Sequence, residues 1–109
     1  MKKNPGEFIV IFVTAKDAAE AQRISRGLLE KKLIACANIV SSVNSFFWWE
    51  GKIDQSAEAL VIMKSQKRCF PKIVSAVKKI HSYSVPEIIA LPIVDGSRDY
   101  LDWIKASTR

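Results

Sequence analysis

Histidine and cysteine are scarce in this 109-residue chain, and that scarcity limits the chemistry open to it. The one histidine, His81, is not a chelate by itself, and no nucleophile stands beside it as in a Ser-His-Asp set. The two cysteines, Cys36 and Cys69, lack a C-x-x-C spacing, which favours reduced thiols of a cytoplasmic protein over a disulfide framework. Residues 14–17, after the first apolar run, contain neither glycine nor arginine, so a phosphatase-type anion cradle is missing. We therefore predict that the protein is not an enzyme.

Long hydrophobic runs are also absent. The first apolar run, at residues 8–13, is separated from two lysines by residues 4–7 and is too short for a secretory signal or a membrane span. Repeats and low-complexity segments are missing as well. The sequence predicts one domain over residues 1–109, a cytoplasmic location and no membrane partner.

The basic residues do not form runs. A net charge of +6 makes anionic partners worth weighing, but the closest groupings are the pairs at 31–32, 67–68 and 78–79. Such pairs are typical of solvated helix faces and ends, so we expect no specific nucleic-acid partner.

Apolar periodicity and capping residues predict the order β-α-β-β-α-β, followed by a short helix. The expected elements are a strand at 8–13, a helix from 17 to 32, a strand at 33–40, a hairpin within 45–65, a helix from 67 to 80, a strand at 88–94 and a helix at 98–106. This is the split ferredoxin-like pattern of the α+β class, an antiparallel sheet with two helices on one face.

Four consecutive aromatic residues, Phe46, Phe47, Trp48 and Trp49, lead into the hairpin, whose tip is expected at residues 50–52. Aromatic residues favour a sheet, but an isolated hairpin is marginally stable in water. We predict that this aromatic arm is buried between subunits.

Three of the predicted strands, at 8–13, 60–63 and 88–91, are apolar at every position. A sheet with helices on one face and water on the other should alternate apolar and polar residues. The second face is therefore expected to be covered, and other subunits are the best candidates.

Five segments together resemble the CutA divalent-cation-tolerance family. They are EKKLIACANI at 30–39, WEGKI at 49–53, HSYSVPE at 81–87, LPI at 91–93 and DYLDW at 99–103. The resemblance implies a ferredoxin-like homotrimer, similar in architecture to the PII signalling proteins, in which long hairpins reach across neighbouring subunits. It also implies a role in tolerance of divalent metals, copper above all.

The chain departs from the pattern of copper-binding members of that family. Those members carry a cysteine where Val13 stands and a first histidine where Ile80 stands, and neither residue offers a donor atom. The remaining candidate metal ligands are His81, Cys36 and Glu87, so the resemblance implies at most a weakly bound divalent metal such as copper.

The same loop supplies a candidate ligand cleft, for which we select Tyr83, Glu87, His81 and Lys64. Two simpler interpretations stay open. His81 follows two lysines at a helix end and is suited to a C-cap, and Cys36 within a strand is suited to a small buried hydrophobe.

Two functions from different classes remain. The first is a trimeric protein of the divalent-cation tolerance type that binds a metal ion or small ligand in clefts between subunits. The alternative is a ferredoxin-like RNA-binding module, which would stack bases on aromatics of the two central strands. Those strands are expected at 8–13 and 59–64, and only the first contains aromatic residues.

Overall fold

The computed structural model describes residues 7–109. The two lysines and most of the residues 4–7 that follow them, considered above as part of a secretory signal, lie outside the described residues. The elements are β1 (Phe8–Ala15), α1 (Ala18–Glu30), β2 (Cys36–Trp49), β3 (Lys52–Gln66), α2 (Phe70–Ile80), β4 (Ile88–Pro92) and α3 (Arg98–Ser107), with a 3-10 turn at Lys67–Cys69 before α2. No helix within residues 7–109 is long and apolar enough to cross a membrane.

The four strands form one antiparallel sheet in the order β2-β3-β1-β4. The predicted α+β, ferredoxin-like order is confirmed, with β1 and β3 as the central strands. Proline in the last strand indicated an edge position. Strand β4 is indeed an edge strand, and Pro92 is its final residue, opposite Ile9 of β1.

Helices α1 and α2 cover one face of the sheet. Asp17 caps α1 by accepting a hydrogen bond from the backbone N–H of Glu20, at 2.9 Å, as the sequence predicted. The resulting core contains the alternate residues of the central strands and the inner stripes of both helices. Its fully buried members include Ile11, Val13, Val61, Met63, Ile24, Leu28, Ile73 and Val77.

Within residues 7–109, the opposite face of the sheet is covered at one end only. There α3 packs Leu101 and Ile104 against Phe8 in a second small apolar cluster. Further along, the face remains apolar and partly open to solvent: Ile89 is 50% exposed and Leu91 is 45% exposed. Within one chain, the predicted doubly apolar sheet therefore keeps an uncovered apolar surface.

The hairpin of β2 and β3 extends from the body, and the molecule measures 49 Å along its longest axis. A register shift between Val40 and Val43 marks a β-bulge at the base of the hairpin. At the tip, Glu50 and Gly51 have φ values of 51° and 77°, the left-handed pair of a type I′ turn. Trp48 and Trp49 of the aromatic arm are 73% and 59% exposed.

Candidate functional site: a cleft beside the aromatic arm

The loop between α2 and β4 is fixed at its start by His81. Its backbone N–H donates to the Val77 carbonyl at 2.8 Å, which confirms the predicted helix C-cap. The ring lies 2.7 Å, through Nε2, from the carbonyl of Thr14 at the end of β1. Its Nδ1 accepts the backbone N–H of Tyr83 at 3.0 Å. A ring that accepts at Nδ1 and donates at Nε2 is the neutral tautomer, and both nitrogens are engaged.

Glu20 ties the same loop to the start of α1. Its fully buried carboxylate accepts the backbone N–H of Lys16 at 2.9 Å and that of Ser82 at 2.8 Å. Burial acts to raise the pKa of Glu20, but the hydrogen bonds from Lys16 and Ser82 outweigh burial and hold the pKa below its ordinary value. Glu20 is therefore a structural anchor for the loop, in its ionised form.

Tyr83 reaches from the loop to the hairpin. Its hydroxyl donates to Oε2 of Glu58 at 2.8 Å, and its ring contacts that of His81 with centroids 4.7 Å apart. Burial and the hydrogen bond to Glu58 raise the pKa of Tyr83 to about 12. The hydroxyl therefore stays a donor at neutral pH, and it closes the inner end of the space between loop and hairpin.

That space is a cavity of about 880 Å³ between the aromatic arm and the loop. Its lining combines aromatic rings, carboxylates and hydroxyls, and among residues 7–109 it includes no lysine, arginine or histidine. The lining residues are Thr14, Ser45, Phe46, Phe47, Trp49, Asp54, Gln55, Ser56, Glu58, Tyr83, Ser84, Val85 and Glu87. Of the predicted cleft residues, Tyr83 and Glu87 line the cavity, while His81 supports Tyr83 from behind.

Lys64, the fourth predicted cleft residue, lies elsewhere. It pairs with Cys36 in the sheet register, and its amine donates to the side-chain oxygen of Asn38. Side chains directly opposite each other in a sheet share a face. Lys64 therefore lies on the partly open apolar face and outside the cleft, because six residues of β3, about 20 Å of strand, separate it from the cleft residue Glu58.

The predicted metal ligands are not brought together. The sulfur of Cys36 lies 3.5 Å from the Tyr100 hydroxyl, in a contact between the open sheet face and α3. This contact with Cys36, together with burial, raises the pKa of Tyr100 to about 12. Both ring nitrogens of His81 are occupied, and Glu87 is exposed at the cavity rim. Within residues 7–109, no three His, Cys, Asp or Glu side chains are placed to hold a metal ion. The residues present do not fit a closed copper site.

The predicted interface residues divide between two surroundings. Phe46, Phe47 and Trp49 line the cavity, whereas Trp48 does not. All four are exposed to solvent in the single chain, which is expected of residues that become buried only in an oligomer. Their burial between subunits remains a prediction.

Sequence reasoning missed Glu58 and Asp54 as cleft residues and Glu20 as the loop anchor. Glu20 carried a signal, its capping-box position after Asp17. Glu58 carried none, since a single carboxylate before an apolar strand usually lies in solvent.

Comparisons with known proteins agree with the fold and cover almost the whole chain. The sequence pattern of the family described as CutA1 divalent ion tolerance protein matches residues 9–107. The divalent-cation tolerance protein CutA of Archaeoglobus fulgidus is 48% identical over 94 residues, covering 86% of this chain and 91% of the relative. Protein CutA 1, chloroplastic, of Oryza sativa is 43% identical over 101 residues, and this chain spans 57% of its length.

Solved structures give the same result. The divalent cation tolerance protein CutA1 of Thermus thermophilus superposes with a TM-score of 0.92 at 39% identity, covering 94% of this chain and 99% of that one. CutA1 of Oryza sativa gives 0.92 at 42% identity, covering 96% and 94%. A CutA of Archaeoglobus fulgidus, described as a periplasmic divalent cation tolerance protein, gives 0.89 at 45% identity, covering 92% and 97%.

Proposed function

The chain belongs to the CutA1 divalent ion tolerance family, and from that premise we propose that it is a homotrimer that binds a metal ion or small ligand in clefts at its subunit borders. The observation that carries this proposal is the cavity between the aromatic arm and the loop at 81–87. An assembly that buries the arm would place this cavity where two subunits meet.

The surfaces left open on one chain support the trimer. The apolar sheet face and the aromatic arm each extend over several neighbouring residues, and the described residues of the chain cover neither of them. Closed symmetry is the usual way in which identical chains cover such surfaces. PII-like packing of three sheets around an axis would bury both.

We propose that metal binding is weak, and we state the expected affinity for copper. Since His81, Cys36 and Glu87 do not converge, no single site offers the several nitrogen or sulfur donors that tight copper binding requires. We expect a dissociation constant on the order of micromolar or poorer for Cu(II) at neutral pH. The chain would then sense divalent ions rather than store them.

Two further elements of the proposal rest on the sequence. The cytoplasm suits two free cysteines, Cys36 and Cys69, although a relative from Archaeoglobus fulgidus is described as periplasmic. No catalytic role is proposed, since the relatives are named tolerance proteins. The RNA-binding alternative gains no support, because the aromatic side chains on the face of β1 and β3 opposite α1 and α2 are Phe8, which is buried under α3, and Phe12 alone beyond it.

Calorimetric and NMR titration of the tag-free protein with Cu(II) and Mg(II) tests this function. We expect weak binding, with line broadening by Cu(II) and chemical shift changes by Mg(II) concentrated at residues 81–87 and at Trp49. A nanomolar Cu(II) site, or divalent ions that leave these residues unperturbed, would contradict the proposed site.

A further inference from the structure

The charge of the cavity is opposite to that of the chain. The chain has 17 basic and 11 acidic residues, yet within the part of the chain that the structure describes the cavity is lined by Asp54, Glu58 and Glu87 and by no basic side chain. The local field in the cavity is therefore negative on a protein that is positive as a whole. A positively charged ligand would be attracted specifically to this place.

Glu58 is the innermost of the three carboxylates and is only 8% exposed. Within residues 7–109, its single hydrogen-bond partner is the Tyr83 hydroxyl on Oε2, and Oε1 accepts nothing from the described protein. Among residues 7–109, the only basic side chain within 4.0 Å of a carboxylate is His81, beside Glu20, and neither of these residues lines the cavity. No buried side-chain oxygen or nitrogen of the described residues lacks a partner, so Oε1 is open to the cavity, and a cation there would form a charge pair with it.

The remaining walls suit an organic cation better than a bare metal ion. Phe46, Phe47 and Trp49 line the cavity, and aromatic faces attract ammonium groups while offering nothing to a hard metal ion. The volume, about 880 Å³, falls within the range of small-molecule pockets. The carboxylates do not form a three-ligand metal group in the described part of the chain.

We propose that the cleft beside the aromatic arm binds an organic ammonium cation, with the charged nitrogen at Glu58 and the apolar part against Phe47 and Trp49. This inference rests on the proposed ligand cleft and names the class of ligand that the cleft takes. Asp54 and Glu87 contribute to the negative field at the rim.

Three probes of the same shape and different charge test the inference on the full chain. They are phenethylammonium, its neutral analogue phenethyl alcohol, and the anion phenylacetate, each followed by NMR titration and by Trp fluorescence. We expect phenethylammonium to shift resonances of residues 45–49 and 83–87. The alcohol should bind about tenfold or more weakly, since it lacks the charged contact, and phenylacetate should not bind.

Two variants and one control locate the contact. Glu58→Gln keeps the shape and an oxygen for Tyr83 but removes the charge, and it should weaken phenethylammonium binding about tenfold. Asp54→Asn, at an exposed position that does not threaten folding, should weaken it less. Asp102→Asn removes an exposed carboxylate on α3, outside the cavity, and should leave the affinity unchanged.

The outcomes separate this inference from the proposed function. Equal binding of the three probes, or of wild type and Glu58→Gln, overturns the ammonium site. If the probes have no effect while divalent ions shift the cleft, the inference fails and the proposed function stands. If neither has an effect and the cleft resonances depend on protein concentration alone, the cleft is filled by a second copy and both proposals fail.

Discussion

Replacing Glu20 by alanine is expected to destabilise the protein by more than its position on a surface helix suggests. The carboxylate is fully buried and accepts two backbone N–H groups, those of Lys16 and Ser82. A hydrogen bond to a charged group contributes about 1.5–3 kcal/mol, and less where water replaces the lost acceptor. Glu20→Ala should therefore lower the free energy of unfolding by about 2–6 kcal/mol at neutral pH, the lower end applying if water enters.

The matched control is Glu30→Ala, the same substitution at an exposed position of the same helix. It should change the stability by less than about 0.5 kcal/mol. Urea unfolding of wild type and both variants, at one fixed protein concentration, measures the difference. Hydrogen exchange at the Ser82 amide should also accelerate in Glu20→Ala and not in Glu30→Ala.

The pH dependence gives a second check on the same residue. Because the folded pKa of Glu20 is depressed below 4.5, the ionised group contributes stability above its unfolded pKa and loses it as the pH falls through the folded pKa. The difference in the free energy of unfolding between wild type and Glu20→Ala should therefore become smaller below about pH 4.5. Equal stability of the two alanine variants, or a gap that does not change with pH, would refute the anchoring role.

Further predictions concern the tyrosines, the arm and RNA. Tyr83 and Tyr100 are the only tyrosines, and their contacts raise both pKa values to about 12, so an ultraviolet titration should show half-ionisation near that value. A midpoint at the ordinary value of 10 would contradict the contacts of Tyr83 with Glu58 and of Tyr100 with Cys36. Trp49→Ala should weaken the trimer by up to about 3–5 kcal/mol per subunit and leave the monomer fold intact. The control Leu29→Ala, on the outer surface of α1, should leave the trimer as stable as in the wild type. Unchanged trimer dissociation of Trp49→Ala on dilution would show that Trp49 lies outside the interface. A mixed single-stranded RNA pool should bind weakly and be released by moderate salt, whereas sequence-selective binding at physiological salt would favour the RNA-binding alternative.

The features that could be predicted from sequence are those fixed by neighbours in the chain. The Asp17 cap, the left-handed turn at 50–51 and the place of Pro71 in the first turn of α2 each depend on a few adjacent residues. The sheet order followed from the order of these elements. The structure differs mainly in the element boundaries: residues 33–35, expected in the second strand, form a buried segment that precedes the strand, which begins at Cys36.

The features that escaped prediction depend on register and on which face a side chain occupies. Cys36 lies opposite Lys64 on β3, whereas Thr14, the partner of His81, lies opposite Leu60. Four residues along a strand span about 13 Å, so Cys36 and His81 are separated along the sheet although both lie in family motifs. The approach of Glu58 to Tyr83 likewise follows from the path of the loop over the sheet end, which no local pattern encodes.

The assembly is the central claim, because both the interface and the position of the cleft depend on it. Light scattering coupled to gel filtration at low micromolar concentration measures it directly. We predict a mass of about three times the 12.2 kDa of the chain. A mass of 12.2 kDa at that concentration would contradict the trimer and leave the aromatic arm and the apolar sheet face without their proposed cover.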